Sequence, residues 1–213
     1  MTLLHSLVFV LVAYLFGALP IGLLVGRMVK GIDVRDYGSG NIGASNVWRT
    51  LGPLWGVVVF LADFCKGYFP TLLAGRVHDV SPWLPVLVGL AAVLGHNFSP
   101  FLKFKGGKGV ATSLGVVYGL SPVAAALGFA LWGVCLLITR YISVSSMIAA
   151  VATSLLLIGL NRDLPHVLFA ILVASFVIVK HRSNMTRLKA GTEPKVSGIR
   201  FGRLSRKAGR EKK

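Results

Sequence analysis

Six stretches of this chain are so continuously apolar and so poor in charge that lipid, not water, must be the solvent they fold in: Leu3–Val25, Pro53–Ala74, Trp83–Phe101, Pro122–Thr139, Tyr141–Leu160 and Leu164–Val179. Most approach the roughly 20 residues that an α-helix needs to cross about 30 Å of hydrocarbon. In that medium every backbone N–H and C=O must find a partner within the protein, which leaves helices and closed barrels. The runs are continuous rather than alternating, so they read as helices. The expected fold is therefore an all-α, polytopic membrane helix bundle. Composition agrees: 54% of the 213 residues are hydrophobic and 14% are charged. Mean hydropathy is +0.74, beyond what a soluble domain of this size can hide.

Charge orients the bundle. Arg27, Lys30, Arg35 and Arg49 follow the first run, Lys103, Lys105 and Lys108 follow the third, Arg140 separates two runs, and twelve more Lys and Arg lie from Lys180 onward. The other connections hold only Arg76 with Asp79 and Arg162 with Asp163. Positive residues stay on the cytoplasmic side, so Lys103 and Arg140 share that side and an even number of crossings must separate them. Lys108–Leu120 then counts as a seventh span, with the N-terminus outside and the C-terminus inside. At 1.5 Å per residue it reaches only about 20 Å, so it must be shielded by neighbours or open into a wet pocket; a re-entrant pair is the alternative. The first run has no cationic segment before it and basic residues after it, which marks a retained span and not a signal peptide. The membrane domain is expected over residues 1–190, with 191–213 a basic, solvated tail near anionic lipid. An excess of 23 Lys and Arg over 7 Asp and Glu is thus explained by topology, and a nucleic-acid partner is excluded.

Inside the second run, Asp63 and Lys66 stand at i and i+3, where they share a helix face and can pair. They form either a buried structural pair or a face that lines a cavity. Cys65 and Cys135 lie in apolar runs and pack as small hydrophobes without a disulfide.

Three polar patches punctuate the greasy sequence, all on the side assigned to the cytoplasm. In the first, Gly38-Ser39-Gly40-Asn41-Ile42-Gly43 matches GxGxxG, but no buried strand precedes it and the acid 20 residues on, Asp63, sits in a span. A dinucleotide site is refused. The glycines, Gly38 and Gly40 among them, instead allow a nest of backbone N–H groups for an anion. Ser39, Asn41, Ser45 and Asn46 add hydrogen bonds, and Arg49 can grip phosphate in bidentate fashion. The second patch contains Lys105, Gly106, Gly107 and Lys108 but lacks the first glycine and the Ser or Thr of a Walker A loop. It opens a helix whose N-terminal amides attract phosphate. His96, just upstream, is either a packed histidine or a polar partner for the ligand. Ser143 and Ser146 could face one cavity, although span serines also bond to their own backbone. His181 and Asn184, three apart, follow the last run. Amides, hydroxyls and cations at a bilayer surface suit a phosphate-bearing molecule whose other end is greasy.

Absences narrow the chemistry. No His-x4-Asp pair exists, no HExxH or CxxC spacing suggests a metal, and no cofactor is expected. Few carboxylates can act as base; Asp36 and Asp63 lie nearest the patches.

Together the patches resemble the bacterial acyl-phosphate:glycerol-3-phosphate acyltransferase (PlsY) family over Leu11 to about Leu188. The resemblance rests on GSGNIGASNVWR (Gly38–Arg49), GHNFSPFLKFKGGKGVAT (Gly95–Thr112) and HRSN (His181–Asn184). It implies a seven-span enzyme in the bacterial inner membrane with its site open to the cytoplasm. The implied reaction transfers a fatty acyl group from acyl phosphate to the sn-1 hydroxyl of glycerol 3-phosphate, giving lysophosphatidate. Ser39, Arg49, Lys108, Ser146, His181 and Asn184 match family positions associated with phosphates or the reacting group. Membrane lipid and the enzyme that supplies acyl phosphate are the expected partners. The competing expectation, a transporter of a phosphate-bearing anion, requires a site near the midplane between internal repeats, and no repeat is evident.

Overall fold

The structure, a computed structural model, describes residues 2–77, 81–160 and 163–196. Asp79, Arg162 and the tail from residue 197 lie outside the described residues. Regular structure is helical: α1 (Leu3–Ala18), α2 (Ile21–Lys30), α3 (Ala44–Leu51), α4 (Pro53–Gly75), α5 (Trp83–Asn97), α6 (Val110–Leu120), α7 (Pro122–Thr139), α8 (Ile142–Gly159), α9 (Leu164–Lys180) and α10 (Arg182–Lys189), with 3-10 turns at Val34–Asp36 and Pro100–Leu102.

Among the described residues, Leu3–Lys30, Pro53–Gly75, Trp83–Leu102 and Pro122–Thr139 are long and apolar enough to cross a membrane. Leu164–Lys180 joins Arg182–Lys189 through a 50° bend, and Val110–Leu120 and Ile142–Leu157 are shorter apolar helices. Apolar side chains such as Leu7, Leu11, Leu61, Leu137 and Ile138 are exposed, a belt that only hydrocarbon accommodates at low cost. The chain is a multi-pass integral membrane protein.

Two boundaries differ from expectation. The first run is not one rod: it breaks at Leu19-Pro20, because proline cannot donate into the helix and restricts the residue before it. The short sixth helix begins at Val110, not Lys108, so Lys108 and Gly109 stand in the segment that leads into it.

The short helix survives because neighbours wrap it. α6 packs most closely on α4 and also touches α5, α7 and α9. Gly67 of α4 lies against the Thr112 carbonyl and Gly115 of α6 against the Phe64 carbonyl, so an added Cβ at either would overlap backbone. α1 lies along α5, while α7, α8 and α9 pack in sequence on the other side. Val86, Val93, Val116, Leu157, Phe169 and Val173 form the central core. A second, smaller core of Leu23, Val34, Ile42, Val47, Val59 and Leu102 pins α2, α3 and the first patch to one end of the bundle.

Candidate active site

Hydrogen bonds inside the first patch shape it before any ligand is considered. Asn46 is fully buried. Its Oδ1 accepts from the Ser39 N–H at 2.7 Å and the Ser39 hydroxyl at 3.1 Å. Its Nδ2 donates to the carbonyls of Val34 at 2.9 Å and Asn41 at 2.8 Å. Gly38 holds φ +54° with the Asn46 amide where a side chain would otherwise stand. Asn46 and Gly38 therefore shape the loop: the polar atoms of Asn46 are engaged within the patch, and neither residue borders the two cavities described below. Asn41 accepts from the Gly43 N–H at 2.8 Å, a turn that leads into α3.

The scaffold presents α3 to a cavity of about 370 Å³ whose lining combines all three patches. Ser39, Ser45 and Arg49 come from the first, Lys108 and Gly109 from the second, His181 and Asn184 from the third. Ser143 and Ser146 enter from the start of α8. The deeper walls are apolar, including Phe60, Leu114, Phe129, Trp132 and Val173. A second recess of about 230 Å³ is bordered by Gly40, Gly106, Gly107, Lys180, Ser183 and Arg187. It shares Ser39, Asn41 and Lys108 with the first. Polar groups from all three patches thus converge on one cavity. Lys105 follows the αL turn at Lys103 and Phe104; it is exposed and borders neither cavity.

Two residues at the heart of the site were not anticipated, Glu193 and Arg187. The segment after α10 folds back on α8 instead of trailing into solvent: the Val196 N–H donates to the Arg140 carbonyl at 2.9 Å. This buries Glu193. Its Oε1 accepts from the Ser143 hydroxyl at 2.7 Å and from Asn184 Nδ2 at 2.6 Å. Its Oε2 accepts from Arg187 Nε at 2.7 Å. Glu193, in the first residues beyond α10, thereby borders the main cavity. Arg187 lies one helical turn beyond Asn184, so extending the third patch by three residues would have found it; the signal for Glu193 was that it is one of two acids, with Glu211, in the basic stretch from Lys180 onward.

Asn184 is the link between charges, because its Oδ1 accepts from Lys108 Nζ while its Nδ2 serves Glu193. Arg49 is mostly buried, and its Nε has no hydrogen-bond partner among the described residues. Burial lowers its pKa, opposed by Glu193 and assisted by Arg187. Lys108 is pushed down to about 8 by burial, then by Arg187, with Glu193 acting against and Arg49 adding to the shift. Three cations crowd around one carboxylate, and desolvation raises the energy of their charged forms. His181 falls to about 4, through burial first and Lys108 second. Its Nδ1 lies 2.7 Å from the Val177 carbonyl, which can only accept, so the neutral ring carries its proton on Nδ1 and offers Nε2 as an acceptor. The Ser146 hydroxyl donates to the Ile142 carbonyl at 2.8 Å and receives the Trp132 indole N–H at 3.3 Å.

His96 borders the main cavity, and its ring is also engaged within the protein. It is buried, with Nδ1 3.2 Å from Lys66 Nζ and 3.6 Å from Asp63 Oδ1. Asp63 and Lys66 pair at 2.7 Å, and Asp63 also borders the main cavity, so both expectations for this face hold together. Asp36, near the first patch, borders neither cavity. No group of three metal-ligating side chains occurs among the described residues.

Comparison with known proteins assigns this arrangement. The glycerol-3-phosphate acyltransferase family model matches residues 7–191. A glycerol-3-phosphate acyltransferase of Desulforudis audaxviator is 49% identical over 185 residues, covering 87% of this chain and 92% of the relative. One from Geobacter sulfurreducens is 47% identical over 191 residues, covering 90% and 97%. The crystal structure of PlsY, an integral membrane glycerol 3-phosphate acyltransferase, in its glycerol 3-phosphate form superposes with a TM-score of 0.87 at 41% identity, covering 90% of this chain and 95% of that one. Its lysophosphatidic acid form gives 0.84 at 40%, with the same coverage. With its three patches gathered at one cavity and relatives matched over nearly their whole length, this chain belongs to the glycerol-3-phosphate acyltransferase family.

Proposed function

We propose that the chain transfers a fatty acyl group from acyl phosphate directly to the sn-1 hydroxyl of glycerol 3-phosphate, releasing phosphate and lysophosphatidate. It is an acyltransferase of phospholipid synthesis by family; the donor, the direct route and the residue roles are our inference. The observation that carries it is the joining of a cation-rich mouth to an apolar cavity, which suits two phosphates and one acyl chain. We further infer seven crossings, a cytoplasmic site in the bacterial inner membrane, and a supplier of acyl phosphate working at that face.

Acyl phosphate is a mixed anhydride and needs no cofactor for activation. The glycerol hydroxyl attacks the carbonyl carbon, the C–O bond to phosphate breaks, and phosphate leaves with the electron pair. The hydroxyl proton passes to a substrate phosphate, whose second pKa near 6 suits it as acceptor. The protein's tasks are then proximity and charge stabilisation. Arg49 and Lys108 neutralise phosphate, and Ser39, Ser45, Ser143 and Ser146 orient it; Gly40, Gly106 and Gly107 instead fix the loops, their N–H groups donating to the carbonyls of Tyr37, Asn97 and His96. Asn184 steers Lys108. His181, too weak a base at a pKa of about 4, orients the hydroxyl through Nε2 instead of deprotonating it.

Purified protein given acyl phosphate and labelled glycerol 3-phosphate should form lysophosphatidate, and acyl-CoA in parallel should not support the reaction. Efficient use of acyl-CoA would refute the donor, and trapping an acylated Ser39 or Ser146 would overturn the direct route. Impermeant thiol labelling of Leu120→Cys from the external side tests the crossing count; protection there would favour the re-entrant alternative.

A further inference from the structure

We propose that the buried cluster of Asp63, Lys66 and His96 is a positioning device that sets where the glycine loop, and with it Lys108, stands in the site. The proposal rests on the reading that this loop holds a substrate phosphate. None of the three needs to touch substrate.

The cluster ties together four segments that are remote in sequence. Proline at position 20 interrupts the first helix, and Lys66 Nζ donates to the Leu19 carbonyl at the break at 2.9 Å. The same ammonium pairs with Asp63 at 2.7 Å and reaches His96 Nδ1 at 3.2 Å. An ammonium only donates, so Nδ1 accepts and the ring proton belongs on Nε2. That edge faces Gly107, where an added Cβ would overlap Nε2. The backbone completes the grip: the Gly107 N–H donates to the His96 carbonyl at 3.0 Å and the Gly106 N–H to the Asn97 carbonyl at 3.2 Å. Held on one edge by α4, the imidazole stands behind the loop as a stop, while its own carbonyl prevents the loop from lifting away. Lys108 is the next residue.

Stability alone does not account for the arrangement. Lys66 is 2% and Asp63 3% exposed, and a buried ion pair is commonly no more stabilising than apolar residues of similar volume. What the pair supplies is a fixed direction: it locks the rotation of one ring against which a backbone segment without side chains is laid.

The test is a double-mutant cycle in kinetic constants. Gly107→Ala alone should raise KM for glycerol 3-phosphate by about tenfold or more with a smaller change in kcat, because the methyl displaces the loop from His96. His96→Ala removes the obstructing ring and should raise KM by about threefold to tenfold. In the double variant, Gly107→Ala should then add no more than about a factor of two. Effects that multiply as independent would overturn the proposal. Should Gly107→Ala not reach the membrane folded, His96→Asn carries the test: it keeps a polar atom near Lys66 but removes the edge facing Gly107. Raised KM at unchanged thermal stability supports positioning, and unchanged KM with lowered stability refutes it. Lys108→Ala, measured alongside, separates the underlying reading: wild-type KM and kcat in that variant would remove the loop's phosphate role itself, whereas multiplicative effects with an impaired Lys108→Ala defeat the positioning role alone.

Discussion

Two charged clusters lie within this bundle, and they are built on opposite principles. Around Asp63, one carboxylate faces one ammonium, with a ring nitrogen and a backbone carbonyl taking up the remaining donors. Around Glu193, one carboxylate faces Arg187 directly and shares its surroundings with Lys108 and Arg49. The first is matched in charge, although Asp63 and His96 also border the main cavity. The second carries surplus positive charge in a partly desolvated cavity, a state that costs energy until an anion arrives. The difference teaches how the two divide the work in the reading proposed above: there, matched charge fixes geometry and unmatched charge recruits substrate.

Removing a cation from the surplus cluster should have the largest effect. Lys108→Ala or Arg49→Ala is expected to lower kcat/KM by about 10³-fold, equivalent to ~4 kcal/mol of transition-state stabilisation, measured as lysophosphatidate formed by protein of unchanged thermal stability. The matched cluster should respond in the opposite way. Asp63→Ala leaves Lys66 buried without its counter-ion and should destabilise the fold by about 3 kcal/mol, read as a lowered unfolding temperature in detergent. Asp63→Asn combined with Lys66→Met should recover that stability while KM for glycerol 3-phosphate stays raised. Full kinetic recovery would show the pair to be structural only.

Glu193→Gln sharpens the contrast from the other side. It keeps the shape but weakens charge-assisted bonds to Ser143, Asn184 and Arg187, so kcat/KM should fall by about tenfold, in line with ~1.5 kcal/mol for a hydrogen bond to a charged group. An unchanged rate would mean that Asn184 holds Lys108 without the carboxylate.

The smallest expected effect is in pH. Burial lowers Lys108 to about 8 from an ordinary 10.5, so if it holds phosphate as proposed, kcat/KM should decline as pH rises through about 8 and that charge is lost. Stability moves the other way: between 8 and 10.5 the unfolded chain binds more protons at this site, so its contribution to folding improves as pH rises. A bound phosphate holds the proton on, so the alkaline limb of kcat should lie higher than that of kcat/KM. Lys108→Arg should remove the limb at 8, since guanidinium stays charged throughout. A limb that survives the substitution would belong to another group.

The apolar runs were readable because helix formation in hydrocarbon depends on local composition: each of the expected segments contains a helix, including the eleven-residue α6. The patches were equally readable, since glycine, serine and lysine clusters have no other reason to interrupt lipid-soluble sequence. Which polar atoms remained free was not readable. Asn46 and Ser39 both looked like ligands for phosphate, yet Asn46 is enclosed by carbonyls up to 12 residues away and Ser39 borders both cavities. His96 looked equally able to pack or to bind, and its partner lies 30 residues back on another helix.

The sequence by itself determined a helical membrane bundle and the chemical class of its ligand, because transfer into lipid and affinity for phosphate are both properties of short stretches. Only the tertiary structure decided the division between scaffold and site. A buried donor or acceptor is available to substrate only if no other segment already satisfies it, and those segments, from the break after Leu19 to the fold-back at Glu193, are brought together by packing alone.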